Sequence, residues 1–171
     1  MSVPSGSVGV RLGTATGRAV VLAAVLGSGM TMLDGTVVNV ALRTVGEDLD
    51  ASLAELQWIT NGYLLSLAGF ILLGGSLGDR YGRRRVFVIG TIWFAVASLF
   101  CGLAPNPEVL IAARVLQGVG AALLTPGSLA MIQGAFARED RARAIGAWTG
   151  LTSVAAALGP SELNAVIALS I

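Results

Sequence analysis

Histidine and lysine are both absent from the 171 residues, and cysteine occurs once, at Cys101. Without histidine the chain lacks the side chain best suited to proton transfer near neutral pH and the commonest metal ligand. A single cysteine excludes an intramolecular disulfide and a cysteine-based metal site. Cys101 reads as a small apolar residue in a buried or lipid-facing segment. No nucleophile–base pair and no cluster of metal ligands appears, so neither an enzyme, a cofactor nor a bound metal is expected. Charge is also scarce: 12% of residues are charged and 54% hydrophobic, against about 25% charged in soluble domains. A water-soluble fold would have too little polar surface. Mean hydropathy of +0.78 and 23 glycines agree, because glycine is commoner in membrane helices than in soluble ones.

What the chain does contain is long apolar runs. A hydrocarbon core of about 30 Å needs roughly 20 helical residues to cross it. Five segments fit: Ala19 to Leu42, Leu56 to Leu77, Val86 to Ala104, Val109 to Ile132, and one from Ala144 to at least Leu158. One such run can be a buried soluble helix. Five in a row joined by short polar loops predict an all-α, polytopic transmembrane helix bundle. The first segment follows Arg11 and Arg18 as a signal peptide would, yet it stays apolar well past a signal-type core and reads as an uncleaved span.

The eleven basic residues are all arginine, and nine of them fall on one side of this pattern. Arg11 and Arg18 precede the first span, Arg80, Arg83, Arg84 and Arg85 follow the second, and Arg138, Arg141 and Arg143 follow the fourth. The other two loops hold Arg43 with Glu47, Asp48, Asp50 and Glu55, and the base-free "APNPE" at 104 to 108. By the positive-inside rule the amino terminus is cytoplasmic. The "RRR" cluster is therefore a topological anchor; it is too short and too closely flanked by spans for a nucleic-acid patch. Neither a Walker pattern nor GxGxxG is present to cradle a phosphate.

Two charges lie inside spans. Asp34, two thirds of the way through the first, costs on the order of 3 kcal/mol at mid-bilayer and should face the bundle interior or an aqueous cavity. It reads either as a proton-exchanging site or as a structural hydrogen-bond partner satisfied by Thr36 or Asn39. Arg114, about one and a half turns into the fourth span, either snorkels outward or faces inward to hold a carboxylate or an anion, or to tune a proton site. Gln117 and Gly118 share its face, which favours the inward reading. Gly74 with Gly78, Gly78 with Gly82, and Gly146 with Gly150 have the GxxxG spacing that lets helices approach in lipid. Pro126 and Pro160 sit in apolar helices as kinks or flexible points.

The stretch Gly75-Ser76-Leu77-Gly78-Asp79-Arg80-Tyr81-Gly82-Arg83-Arg84-Arg85 resembles the signature loop between the second and third helices of the major facilitator superfamily. "LDGTVVNVAL", "LQWITNGYLL", "RVLQGVGAALLTPGSL" and "GLTSVAAALGP" follow in the order that family requires. Together they are most similar to its drug:proton antiporter branch with fourteen spans, and the resemblance covers residues 19 to 160. It implies proton-coupled efflux of drugs or other amphipathic small molecules across the plasma membrane, with lipid, protons and a small-molecule substrate as partners and no nucleic acid. It also implies roles. Asp79 and Arg83, with Arg143, would form a cytoplasmic gate network that includes Arg80 and Arg84. Gly75 and Gly82 would permit a close turn. Asp34, Arg114 and Gln117 would be candidates for proton coupling or substrate recognition, and Gly150, Gly159 and Pro160 would belong to the antiporter motif of the fifth helix. The organisation expected is a tail at 1–18, helices one to five at 19–160, and a divergent or truncated end at 161–171. The chain departs from the family in reading "SELNAVIALSI" after "ALGP", in having Arg43 where proline is usual, and in holding only about five spans. A transporter portion is thus expected, the alternative being a non-transporting membrane interaction protein or inactive fragment that pairs with a separately encoded remainder.

Overall fold

A computed structural model describes residues 9–169, with the side chains of Asn39 and of 155–169 outside the description. Five helices follow one another: α1 Ala15–Asp48, α2 Leu53–Tyr81, α3 Arg83–Gly102, α4 Pro107–Ala135 and α5 Arg138–Leu169. Among the described residues the only β pairing is an isolated parallel bridge between Val10 and Phe136. The protein is an all-α bundle, as the apolar runs predict. α1, α2, α3 and α4 are each long and apolar enough to cross a membrane.

Helix ends depart from the hydropathy boundaries for local reasons. The Thr14 hydroxyl accepts from the Gly17 amide and starts α1 before the apolar run, satisfying one of the orphan amides of a first turn. At its far end α1 runs on to Asp48, six residues beyond the apolar stretch, and ends where Leu49 leaves helical geometry and Asp50 takes a φ of 50°. The expected loop from Arg43 to Glu55 is therefore reduced to 49–52. There Ser52 and Glu55 form a reciprocal capping box that opens α2. Asn106 caps α4 and Pro107 occupies its first turn. Glu139 and Asp140 sit in the first turn of α5, where the helix dipole favours acid, so α5 starts at Arg138 and not at Ala144. It continues without interruption through Pro160 to Leu169.

The motif read as a loop is mostly helix. Residues 75 to 81 form the last turns of α2, and Gly82 alone joins α2 to α3 with φ of +97°, backbone that a β-carbon disfavours. Gly75 lies within the helix with open space around it, so the turn rests on Gly82.

α4 is the centre of the bundle: it packs against α1, α2, α3 and α5. One apolar core joins Tyr63, Phe87, Phe94, Ala121 and Leu124 of α2, α3 and α4. A second joins Val21, Ala24, Ile132 and Ala144 of α1, α4 and α5 with Phe136, the residue that ends α4. Most of the glycines that permit this closeness lie outside the GxxxG pairs. A β-carbon on Gly118 would strike the Ser66 hydroxyl and the Tyr63 carbonyl of α2. One on Gly90 would come within 2.8 Å of Leu123, across the α3–α4 contact. Of the spaced pairs only Gly74 makes a close approach, to the Ala122 carbonyl, while Gly146 and Gly150 face open space. Pro126 brings no N–H to Ala122, four residues earlier, so the carbonyl that Gly74 approaches has lost its ordinary helical donor.

Outside this core the chain is apolar. Leu26, Leu65, Leu72, Ile92 and Leu99 are each more than half exposed. Such surface would aggregate in water and is the face a helix presents to lipid. The chain is a multi-pass membrane protein. Successive helices run in opposite directions, so the start of α1, the α2–α3 turn and the α4–α5 turn share one end. Arg83 Nη1 donates to the Ala130 carbonyl, and Val10 N donates to the Ala135 carbonyl at 2.7 Å. All nine arginines of the sequence pattern lie at that end. The tail is partly built into it: the Leu12 amide also donates to Asp140 Oδ2 at 3.0 Å.

Candidate functional site

Asp34 is the twentieth residue of α1, and Arg114 the eighth of α4. Because the two helices run oppositely, both residues sit in the half of the bundle far from the arginine-rich end. Arg114 Nη1 donates to Asp34 Oδ2 at 2.7 Å, with side-chain exposures of 3% and 16%. Gln117, one turn further along α4, completes the carboxylate's shell: its Nε2 donates to Asp34 Oδ1 at 2.7 Å and to Ser98 Oγ of α3 at 2.6 Å. Its Oε1 accepts from Arg114 Nη1 at 2.5 Å and from the Cys101 thiol at 3.5 Å. This arrangement uses the amide in both directions, oxygen toward the cation and nitrogen toward the anion.

Arg114 is held from α2 as well. Its Nε donates to the Ile59 carbonyl at 3.4 Å, and its guanidinium lies 4.3 Å from the centroid of the Tyr63 ring, a favourable cation–π approach. Four helices thus converge on one ion pair. Arg114 faces inward and does not snorkel. Thr36 is not the partner of Asp34; its hydroxyl donates to the Met32 carbonyl of its own helix. The side chain of Asn39, the other expected partner, lies outside the described residues. A cavity of about 260 Å³ adjoins the pair, lined by Asp34, Arg114, Gln117, Ser98 and Cys101 among apolar residues of α1 and α4.

Sequence reasoning names Asp34, Arg114 and Gln117 but misses Tyr63, Ile59 and Ser98. Ile59 and Tyr63 are four apart and so share a face of α2, which is the one local signal that links them. Nothing in the sequence marks that face as the one turned to Arg114.

The second charged group lies at the arginine-rich end. Arg83 Nε and Nη2 donate to Asp79 Oδ1 at 3.2 and 3.0 Å across the Gly82 turn, while Nη1 donates to the Ala130 carbonyl of α4 at 3.2 Å. These bonds tie the α2–α3 turn to α4. Arg143 is exposed and makes no ion pair with Asp79 among the described residues, so the expected three-residue network reduces to Asp79, Arg83 and a backbone carbonyl. The Arg80 guanidinium lies 5.5 Å from the ring of neighbouring Tyr81, and Arg84 borders an open groove with Arg85, Val88 and Ile89.

A third feature lies between α1, α4 and α5: a cavity of about 700 Å³ rich in hydroxyl side chains, including Ser28, Thr31, Thr125, Ser128, Thr149 and Thr152. Trp148 closes one side, its indole N–H donating to Ser28 Oγ at 3.2 Å. Of the expected fifth-helix motif, Gly150 faces open space. Gly159 and Pro160 have helical backbone, and their surroundings lie outside the described residues.

The family model described as Major Facilitator Superfamily matches residues 24–167. The chain is 41% identical over 148 residues to the methylenomycin A resistance protein of Bacillus subtilis, covering 86% of this chain and 32% of the relative. It is 47% identical over 131 residues to the probable actinorhodin transporter of Streptomyces coelicolor, 77% of this chain and 23% of that one. With the tetracenomycin C resistance and export protein of Streptomyces glaucescens the identity is 42% over 139 residues, 81% and 26% of the two chains. The chain therefore spans between a quarter and a third, roughly, of the length of these relatives.

Proposed function

The chain belongs to the Major Facilitator Superfamily, and from that premise we propose that it forms the amino-terminal helices of a secondary transporter that exports drugs or other amphipathic small molecules in exchange for protons. The drug:proton antiporter branch with fourteen spans is the setting its motifs fit best. Relatives named for resistance or export support the reading. The observation that carries it is the buried Asp34–Arg114 pair between α1 and α4. Two ionised groups in an apolar bundle cost several kcal/mol each to desolvate, in order of magnitude, and such groups in membrane helices are retained for function.

Asp34 is the proton acceptor in this reading. Proton arrival removes its charge and with it the attraction for Arg114, which leaves the guanidinium to Gln117, the Ile59 carbonyl and the Tyr63 ring. A conformation that gives Arg114 water or another anion is then favoured, and a ligand that binds two states unequally can shift a gate only by that difference. At the opposite end the Asp79–Arg83–Ala130 contacts hold α2, α3 and α4 together, and their release accompanies the change of access. Gly150, Gly159 and Pro160 let α5 bend. The cavity between α1, α4 and α5 forms one wall of the substrate path. The arginine-rich end faces the cytoplasm of the cell, by the positive-inside rule, and the membrane is the plasma membrane.

A chimera tests this. Residues 24–167 of this chain replace the matched segment of the tetracenomycin C export protein in a host stripped of drug pumps. A chimera present in the membrane is expected to lower accumulation of a fluorescent drug several-fold, an effect abolished by a protonophore and by Asp34→Asn. A membrane-inserted chimera without energy-dependent efflux, or one indifferent to the protonophore, overturns the proposal.

A further inference from the structure

Resting on the reading of the α1–α4–α5 cavity as a substrate wall, we propose that the solute it takes is an uncharged aromatic compound bearing hydroxyl groups, and not an organic cation. The volume, about 700 Å³, falls among small-molecule sites of roughly 300–1,000 Å³. Among the described residues its wall contains no carboxylate, and the one charged side chain on it is Arg83. Asp34 is no counter-ion for this space: both its oxygens are committed to Arg114 and Gln117, and it borders a different cavity. A cation entering here would lose water and find no opposite charge, which is the costly case for a buried ion.

The polar groups that are present select further. Thr31 donates its hydroxyl proton to the Ser28 carbonyl, Thr125 to Ala121, Ser128 to Thr125 and Thr152 to Trp148. Each hydroxyl has one proton and two lone pairs. With the protons committed to helix carbonyls, lone pairs are what these four side chains offer a solute. The guanidinium of Arg83 is engaged as well, with Asp79 and the Ala130 carbonyl. These four hydroxyls therefore present acceptors, beside Gln133, whose amide both donates and accepts, and they are matched by a solute that brings O–H donors. Met32, Pro126, Leu129 and the Trp148 indole supply the apolar remainder, and an aromatic ring is the surface that packs best on an indole.

Equilibrium dialysis of the full chain in lipid nanodiscs, against empty nanodiscs, tests this with three probes of similar size: dihydroxynaphthalene, its dimethyl ether and N-methylquinolinium. The diol is expected to show saturable binding at least tenfold tighter than the ether, with no saturable binding of the cation. Thr31→Val combined with Thr152→Val is expected to weaken the diol at least fivefold and leave the ether unchanged. Should that pair of substitutions impair folding, Thr149→Val, on an exposed hydroxyl of the same wall, is expected to weaken the diol alone by a smaller factor. Cation binding equal to the diol's, or ether binding equal to it, overturns the inference while leaving a substrate wall in place. If none of the probes binds saturably, the substrate wall itself is refuted and the inference falls with it.

Discussion

Among the described residues the bundle contains two arginine–aspartate pairs of nearly equal geometry in opposite surroundings. Arg83 meets Asp79 at 3.0 Å with 44% and 67% of the side chains exposed. Arg114 meets Asp34 at 2.7 Å with 3% and 16% exposed. The first joins residues four apart across one turn; the second joins residues 80 apart and fastens α1 to α4. Charge attraction scales inversely with the effective dielectric, so the exposed pair contributes at most a few tenths of a kcal/mol. The buried pair matters mainly through the cost of losing one partner. In a chain this short of charge, the isolated ionic residues carry more consequence than the cluster that first draws the eye.

That contrast can be broken by substitution. The largest effect is expected from Asp34→Ala, which strands Arg114: a loss of about 3–5 kcal/mol, read as a lowered midpoint of thermal denaturation in nanodiscs. Asp34→Leu with Arg114→Met is expected to recover most of it while leaving the chimera without protonophore-sensitive efflux. A single substitution no worse than one at Asp79 would erase the distinction. Gly118→Ala comes next, at about 3 kcal/mol, the upper end of the usual cost of overpacking, because its β-carbon meets the Tyr63 carbonyl and the Ser66 hydroxyl. It sharpens the comparison by moving α2, and with it the Tyr63 ring, away from Arg114 and leaving Arg83 untouched. Gly82→Ala forces a side chain onto a backbone of φ +97° and is expected to cost about 1–2 kcal/mol. Asp79→Ala should change stability by less than about 0.5 kcal/mol and slow export by the chimera, as a gate contact does when its anchoring role is small.

Much of this was legible in the residues and some was not, for physical reasons. Hydropathy reports where lipid is, so it locates the spans but misses the six residues by which α1 overshoots Leu42, and the helical character of 78 to 81. Asp34, Arg114 and Gln117 stand out because ionic and amide groups are costly in apolar runs. That Asp34 pairs with Arg114 is a matter of which helices touch, and local periodicity is silent on that. The glycine spacing misled for the same reason: contact depends on the facing helix, so Gly90 and Gly118 pack closely while Gly146 and Gly150 face open space. Serine and threonine hydroxyls scattered over α1, α4 and α5 form a cavity wall only after the helices are assembled.

The claim on which the account turns is that the Asp34 carboxylate carries the proton exchanged for substrate. Proton movement measured with a pH-sensitive dye in proteoliposomes holding the chimera, started by adding drug, tests it most directly. The account predicts drug-driven proton flux with Asp34 in place and none after Asp34→Asn, with Asp79→Asn slowing the flux and leaving the number of protons per drug unchanged. Undiminished proton flux per drug after Asp34→Asn would contradict it.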